Sequence, residues 1–137
     1  MGSRLEVTSG VIATLREEAS RAAPREACGL LLGRAEEVRC AVRADNVHPT
    51  PLRHFEIDPV ALIAAHRAAR QGGPAVLGYF HSHPTGLLAP SAVDRAQASG
   101  DGRVWAIVAP GAGEGDITFW RDGEGGFEPL SYRVVDG

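Results

Sequence analysis

The amino-acid sequence predicts an α/β fold of the α+β type, in which a mixed, largely antiparallel β-sheet is packed with helices. Three continuous apolar runs, at 27–33, 75–81 and 104–109, are typical of buried strands. Two other segments begin at helix-capping residues and end at proline or glycine. Strands and helices do not alternate regularly along the chain, which argues against a doubly wound parallel sheet.

The first third of the chain is predicted as a strand, a helix and a hairpin. Leu5–Val7 is a short strand, and Thr8 or Ser9 caps the helix that follows, whose apolar residues recur at helical spacing. The apolar run Ala27–Gly33 is predicted as a buried strand, and Val38–Ala44 is predicted as its hairpin partner after a short turn.

The middle of the chain is predicted as a loop, a helix and a central strand. Asp45–Phe55 contains two prolines and is expected to be a loop. Asp58 followed by Pro59 is a favourable helix start, and this helix is expected to run to about Arg70, before two glycines. Ala75–His81 is apolar throughout and is expected to be a central strand that ends before Pro84. The remaining elements are a short helix and three strands, at Ser91–Ser99, Val104–Ala109, Ile117–Arg121 and Phe127–Val134.

Composition narrows the class of protein. The 137 residues fit one domain spanning residues 1–137. With 17 acidic and 14 basic residues the net charge is −3, which argues against a nucleic-acid partner or an anionic membrane surface. Cys28 and Cys40 form neither a disulfide framework nor a C-x-x-C pair, and the first twenty residues lack a signal-peptide apolar segment. We therefore expect a cytoplasmic protein with no membrane span.

One segment of the sequence carries residue types suited to metal chemistry. His81 and His83 are two apart at the end of the predicted central strand, so both imidazoles can project from one face. Asp94 lies eleven residues after His83, in the first turn of the next predicted helix. Two histidines and one carboxylate leave a fourth tetrahedral position open, which is the catalytic form of a zinc site.

Other interpretations of the same residues stay open at this level. A single His-x-His is a weak signal, and Ser91-x-x-Asp94 is also a helix capping box, an interpretation compatible with metal binding. Glu26 is either a solvated residue at a strand start or the general base that a zinc hydrolase requires. The remaining histidines are expected at loop or helix surfaces, and Cys28 as a small buried apolar residue; these histidines are His48, His54 and His66.

These residues together resemble the JAMM/MPN+ metalloprotease family. Residues 26–33 resemble the E-x-x-G-L-L-x-G opening of that family, and residues 81–94 resemble its H-S/T-H-P-x6-S-x-x-D signature. The segment from Asn46 to Pro59 is similar to that of small bacterial and archaeal members. The resemblance implies a JAMM/MPN (cytidine-deaminase-like) core. It also implies one Zn²⁺ per chain held by His81, His83 and Asp94, with Glu26 as the general base and Ser91 supporting the oxyanion or the water.

The resemblance further implies a substrate with a ubiquitin-like body. For a small prokaryotic member it implies hydrolysis of the amide bond after the C-terminal Gly-Gly of a sulfur-carrier protein, for example releasing an attached cysteine. Such an extended tail is expected to dock as an added strand beside a sheet edge near the metal. The alternatives are a peptidase acting on other ubiquitin-like conjugates and a non-catalytic zinc-binding MPN interaction module.

Two metal-site classes with similar histidine spacing fit less well. A cupin-type barrel would require a glutamate four or five residues after the second histidine, where this chain has Leu87 and Leu88. A His-triad nucleotide hydrolase would require a third alternating histidine at the position of Thr85.

Overall fold

The computed structural model describes residues 4–111 and 115–137. Within these residues seven strands and three helices follow one another along the chain. They are β1 (Arg4–Thr8), α1 (Ser9–Ala22), β2 (Cys28–Arg34), β3 (Glu37–Ala44), α2 (Pro59–Arg70), β4 (Ala75–Ser82), α3 (Ala92–Gln97), β5 (Val104–Val108), β6 (Ile117–Gly123) and β7 (Gly126–Val135).

The strands form a closed barrel in the order β1-β3-β2-β4-β5-β6-β7. Three neighbouring pairs are parallel (β1 with β3, β1 with β7, and β4 with β5), and the other four are antiparallel. The predicted mixed, largely antiparallel sheet is therefore confirmed. Closure was not predicted, because it depends on β1 pairing with β7 from the other end of the chain, as in the partners Leu5 and Tyr132.

Helix α1 packs on one face of the sheet. Thr8 is its N-cap, since its hydroxyl accepts a hydrogen bond from the amide of Val11 at 3.3 Å. The buried apolar residues of the helix meet Phe80 of β4 and Phe119 of β6 in one cluster; they are Val11, Ile12, Leu15 and Ala19. These positions follow the helical spacing that predicted the segment.

Helix α2 lies against a second apolar cluster. Because neighbouring residues of a strand point to opposite faces, Leu31 packs with α1 while Leu30 belongs to this second cluster. Asp58 caps α2 by accepting from the amide of Val60 at 3.0 Å, as its sequence predicted. Phe55 and Trp105 fill the cluster beneath the helix, next to the end of β4.

Glycines permit the close strand contacts around β4. A Cβ atom on Gly78 would lie 1.7 Å from the carbonyl oxygen of Val104 in β5. A Cβ atom on Gly29 would lie 2.2 Å from the carbonyl oxygen of Val42 and 2.3 Å from the ring of Phe80. Only glycine fits at these two positions, so the spacing between β2, β4 and β5 depends on them.

Several element boundaries differ by one or two residues from those predicted. Strand β4 ends at Ser82, and α3 is shorter than the predicted helix at 91–99 because Ser91 is its N-cap and Ala98 is its C-cap. The buried carboxylate of Asp122 accepts hydrogen bonds from the amides of Ser99 and Gly100, each at 3.1 Å, and so fixes the chain after α3.

Of the helices that the structure describes, none combines the length and apolar character that crossing a membrane requires. The organisation of residues 1–137 as a single domain stays a prediction.

Candidate metal centre

The register between β2 and β4 brings Glu26 to the two histidines. Cys28 is the antiparallel partner of His81, and Ser82 exchanges two hydrogen bonds with Ala27 just beyond it. Continuing this register places Glu26 opposite His83. Ligand atoms of Glu26, His81 and His83 all lie within 4.8 Å of one another, and all three side chains are buried.

The two imidazoles converge at the end of β4. His83 follows the last residue of the strand, but its amide still donates to the carbonyl oxygen of Val108 at 2.9 Å, so the chain stays extended. The two Nε2 atoms are 3.0 Å apart, and the exposed fractions are 0% for His81 and 4% for His83. The predicted projection of both rings to one side is observed.

Helix α3 brings Asp94 to both imidazoles. Its Oδ1 lies 3.1 Å from Nε2 of His81, and its Oδ2 lies 3.0 Å from Nε2 of His83. Asp94 is 2% exposed. The three side chains predicted as ligands are therefore buried together, and each imidazole Nε2 lies about 3 Å from the other Nε2 and from one oxygen of Asp94.

The donor and acceptor pattern of this cluster fits a cation. Nδ1 of His83 lies 2.7 Å from the carbonyl oxygen of Leu87, so Nδ1 carries a proton and Nε2 is the nitrogen that can bind a cation or a second proton. The carboxylate of Asp94 is also an acceptor, and Nδ1 of His81 has no partner in the described part of the chain. Tetrahedral Zn²⁺ with these ligand types separates its ligand atoms by about 3.3 Å, close to the observed spacing.

Burial and the contacts within the cluster shift the pKa values of its three side chains. Burial lowers the pKa of His81, although the hydrogen bond and charge of Asp94 oppose this shift. Burial acts in the same direction on His83, but there Asp94 and the carbonyl of Leu87 outweigh it and raise the pKa. Burial would raise the pKa of Asp94, yet its bonds to both histidines hold that pKa well below its usual range. Asp94 is consequently an ionised carboxylate that favours a positive charge beside it.

Glu26 is a buried carboxyl group with an unsatisfied oxygen. The residue is 6% exposed, and Oε1 has no hydrogen-bond partner among the described residues. Burial raises the pKa of Glu26 to about 7, with the positive charge of His83 opposing the shift and the negative charge of Asp94 adding to it. A carboxyl group that titrates near neutral pH is suited to taking up and releasing protons.

Two sets of three ligands share the histidine pair. One set contains Asp94, which lies within 3.1 Å of both imidazoles. The other contains Glu26, whose ligand atom lies within a looser 4.8 Å limit. Asp94 is therefore the carboxylate in direct contact with both imidazoles, and Glu26 is a second buried carboxyl group beside the same pair.

Ser91 lies next to Asp94 as the N-cap of α3. Its hydroxyl oxygen accepts from the amide of Asp94 at 3.1 Å, and its own amide donates to Oδ2 of Asp94 at 2.8 Å. The capping box considered from the sequence is therefore present, together with the predicted approach of Asp94 to the histidines. The hydroxyl hydrogen of Ser91 is not used in the capping box and remains available for another acceptor.

Three residues around the site were not identified from the sequence. The hydroxyl of Ser82 accepts from the amide of Ala27 at 2.7 Å and so ties β4 to the residue after Glu26. Phe55 stacks on His81 with ring centroids 4.4 Å apart. Asn46 binds the carbonyl oxygen of Glu26 through its amide nitrogen. All three lie in segments that carry the family resemblance, Ser82 between the two histidines and the other two within 46–59, but the sequence assigned none of them a contact.

The residues not expected to bind metal are outside the group of converging ligand atoms in the described part of the chain. Cys28 is buried, as predicted, and burial together with the charge of Glu26 raises its thiol pKa to about 12. His48 and His54 are half-buried in the loop before α2 and stack with ring centroids 4.5 Å apart. His66 is half-buried on α2. The docking of a tail as an added strand beside a sheet edge near the metal stays a prediction; β4 itself is not such an edge, because it lies between β2 and β5 in the barrel.

The fold and this buried cluster together define a JAB/MPN-type metal-site domain. Residues 8–123 match the protein family described as prokaryotic homologs of the JAB domain. The chain therefore belongs to this family, and the resemblance found in its sequence motifs is confirmed.

Two relatives share substantial sequence identity with the chain. A probable TtuB-protein conjugate cleaving protease from Thermus thermophilus is 39% identical over 97 residues, which are 71% of this chain and 65% of that protein. The chain thus spans slightly less than two thirds of the Thermus relative. A desampylase from Haloferax volcanii is 34% identical over 133 residues, which are 94% of this chain and 92% of that protein.

Solved structures agree with the fold. A protein from Desulfitobacterium hafniense matches with a TM-score of 0.83 and 26% identity, covering 97% of this chain and 94% of the other. A JAB1/MPN domain protein from Archaeoglobus fulgidus matches with a TM-score of 0.67 and 21% identity, covering 98% of this chain and 100% of the other. These likenesses confirm the JAB1/MPN fold.

Proposed function

We propose that the protein is a zinc-dependent peptidase or isopeptidase that hydrolyses the amide bond after the C-terminal Gly-Gly of a ubiquitin-like or sulfur-carrier protein. The observation that carries this proposal is the buried triangle of two imidazoles and one carboxylate, with the buried carboxyl group of Glu26 beside it. His81, His83 and Asp94 would hold one Zn²⁺ per chain, and Glu26 would act as the general base.

Each side chain has a separate task in this mechanism. Zn²⁺, when bound, supplies a Lewis acid that polarises the scissile carbonyl and lowers the pKa of water. Glu26 takes a proton from the attacking water and later gives it to the leaving amine, so it starts and ends each cycle ionised. Burial raises the pKa of Glu26 in the metal-free chain, which favours the protonated form that delivers a proton to the leaving amine.

Ser91 is suited to stabilising the developing negative charge. Its oxygen accepts the amide of Asp94, so its hydrogen points away from that bond and is free to donate to the substrate oxyanion. Because the same residue caps α3, the helix holds the donor in a fixed place relative to Asp94.

The substrate class is proposed from the buried site and from the names of the relatives. Glu26, His81, His83 and Asp94 are each at most 6% exposed, so an approaching chain must fit closely. Glycine has no side chain to accommodate, which makes a Gly-Gly tail compatible with such an approach. The Thermus relative is described as cleaving TtuB-protein conjugates and the Haloferax relative as a desampylase, which supports a protein conjugate as the substrate. Both cysteines are free thiols, which supports the cytoplasm as the compartment.

A direct assay tests the proposed activity. A ubiquitin-like carrier with cysteine joined by an amide to its terminal Gly-Gly is incubated with the zinc-loaded protein, and its mass is followed. Loss of the cysteine residue supports the proposal, and chelation should abolish it. An intact carrier with stoichiometric zinc on the protein would contradict this substrate, and the same assay on lysine-linked carrier conjugates tests the alternative of other ubiquitin-like conjugates.

One observation favours a second candidate function. Ligand atoms of Glu26 lie near those of His81 and His83. If Glu26 bound the metal as a fourth protein ligand beside Asp94, it would close the coordination sphere. A closed four-ligand zinc site is structural, and the protein would then be a non-catalytic zinc-binding interaction module. Zinc binding by a Glu26 variant separates the two functions.

A further inference from the structure

Asn46 uses its whole side-chain amide inside the loop between β3 and α2. Its Nδ2 donates to the carbonyl oxygens of Glu26 at 3.0 Å and His54 at 2.9 Å. Its Oδ1 accepts from the amides of His48 and Glu56, each at 3.1 Å. An asparagine amide offers two donors and two acceptor sites, so all four are satisfied.

The same loop, residues 46–57, contacts the metal centre at two further points. The amide of Glu26 donates to the carbonyl oxygen of Pro51 at 2.7 Å, and Phe55 stacks on His81. Asn46 also pairs with Ile57, and this bridge joins the two ends of the loop. The loop is therefore closed on itself by Asn46 and rests on both Glu26 and one of the predicted ligands.

The Glu26 side chain depends on its backbone for its position. Its Oε1 is buried and has no hydrogen-bond partner in the described part of the chain, so no side-chain bond at that atom fixes the carboxylate. The peptide units on both sides of Glu26 are instead held by hydrogen bonds. The amide of Glu26 donates to Pro51, its carbonyl accepts from Asn46, and the amide of the next residue donates to the hydroxyl of Ser82. A shift of this backbone would move the carboxylate directly.

We infer that Asn46 is a positioning residue, which holds the carboxylate of Glu26 at the site of proton transfer by tying the Glu26 carbonyl to the 46–57 loop. This inference rests on the proposed function, in which Glu26 moves the proton. The four hydrogen bonds of the Asn46 side chain go to Glu26, His48, His54 and Glu56, and none goes to a proposed ligand. Asn46 therefore acts through Glu26 and not on the reacting atoms. Misplacing a catalytic group by about 1 Å can lower a rate roughly 100-fold.

Two substitutions test the role. Asn46→Ala removes all four hydrogen bonds, and Asn46→Asp keeps the shape and both accepted bonds but cannot donate to the carbonyls of Glu26 and His54. Each variant is loaded with zinc, and kcat and KM are measured per bound zinc on the cysteine-linked carrier. We expect kcat to fall about 10- to 100-fold in both, as for other residues that orient a functional group, while zinc affinity and KM stay within about twofold. If Asn46→Ala does not fold, the result is read from Asn46→Asp.

Thr50→Ala is the matched control within the same loop. The Thr50 hydroxyl lies 3.1 Å from Nδ1 of both His48 and His54 and has no hydrogen bond to Glu26. Its removal weakens the loop without releasing the Glu26 backbone, so kcat should stay within about twofold of the original protein. An equal loss of kcat in Thr50→Ala and Asn46→Asp would overturn the specific role of Asn46.

A double-mutant cycle with Glu26→Gln gives the decisive readout. If Asn46 acts through Glu26, adding Asn46→Asp to Glu26→Gln should lower kcat by less than about twofold, because the affected group is already lost. Additive losses would overturn the inference, as would an Asn46→Asp variant with unchanged kcat. Failure of the proposed function is distinguishable, because the unsubstituted zinc-loaded protein would then leave the carrier intact.

Discussion

Ser91 and Asp94 bind each other reciprocally at the start of α3. The amide of Asp94 donates to the Ser91 hydroxyl at 3.1 Å, and the amide of Ser91 donates to Oδ2 of Asp94 at 2.8 Å. The same Oδ2 lies 3.0 Å from Nε2 of His83. The capping box and the ligand cluster are thus one arrangement, and the helix start orients the carboxylate that faces the histidines.

Ser91→Ala should cost both stability and rate. Loss of the cap should lower the free energy of unfolding by about 1 kcal/mol. Loss of the hydroxyl donor should lower kcat by roughly 10²–10³-fold, with zinc retained. Thermal unfolding, turnover and metal content of the same preparation measure the three quantities.

Ser91→Thr is the control for that prediction, because threonine keeps a hydroxyl that can both cap and donate. It should retain zinc and stay much closer in rate to the original protein than Ser91→Ala. A Ser91→Ala variant that is destabilised but fully active would show that the hydroxyl serves only as a helix cap.

Asp94→Ala and His83→Ala should each abolish stoichiometric zinc binding and hydrolysis. Each removes one of three ligands and leaves too few donors for a stable tetrahedral site. Calorimetric titration with zinc and metal analysis after purification provide the measurement. His66→Ala removes a half-buried histidine on α2 and should bind zinc normally. Full zinc occupancy in Asp94→Ala would mean that Glu26 completes the ligand set instead.

The two cysteines should differ sharply in reactivity. Cys40 is exposed, whereas Cys28 is buried and has a pKa raised to about 12. The thiolate is the reactive form, so a maleimide or disulfide reagent at pH 8 should label one thiol per native chain and two after unfolding. Cys40→Ser should abolish the native labelling, and rapid native labelling of Cys28 would contradict its burial.

The metal-free protein should lose stability as the pH rises because of Glu26. Its carboxyl group ionises near 4.5 as a free residue and near 7 in the folded chain. Between these pH values the folded state binds more protons than the unfolded state, so the free energy of unfolding falls as pH rises through this range. Glu26→Gln removes the effect.

Urea unfolding of the metal-free proteins tests this linkage. At pH 8 we expect Glu26→Gln to be more stable than the original protein by about 1–3 kcal/mol, and at pH 4 the difference should largely disappear. The opposite sign at pH 8 would show that the ionised carboxylate is stabilised in the folded state. The ion pair between Arg16 and the buried Asp116 is present in both proteins, so it does not contribute to the difference in stability between them.

The sequence predicted those features of the site that are encoded locally. The two-residue spacing of His81 and His83 determines that both rings share one side of an extended chain, and Ser91-x-x-Asp94 is a local helix-start pattern. The approach of Glu26 to the histidines needs the β2–β4 register, so it followed from the family resemblance and not from spacing. Similarly, the apolar positions of α1 predicted the helix and its buried face.

What could not be predicted depends on contacts between distant residues. Barrel closure joins Leu5 to Tyr132, and no local pattern in either strand specifies that partner. Asn46 contacts Glu26 across twenty positions, and asparagine in a proline-containing loop is ordinarily interpreted as a turn residue. The stacking of Phe55 on His81 likewise follows from the path of a loop whose course the sequence left open.

The central claim is that Glu26 moves protons beside a metal held by His81, His83 and Asp94. Glu26→Gln tests it most directly, because glutamine keeps the size and the hydrogen-bonding capacity but cannot accept the proton. Zinc content and kcat on the cysteine-linked carrier are measured on one preparation. The account predicts about one zinc per chain, as in the unsubstituted protein, and a rate lower by roughly 10²–10⁴-fold. Loss of zinc from this variant would make Glu26 a ligand, and full activity would place the base elsewhere; either result contradicts the account.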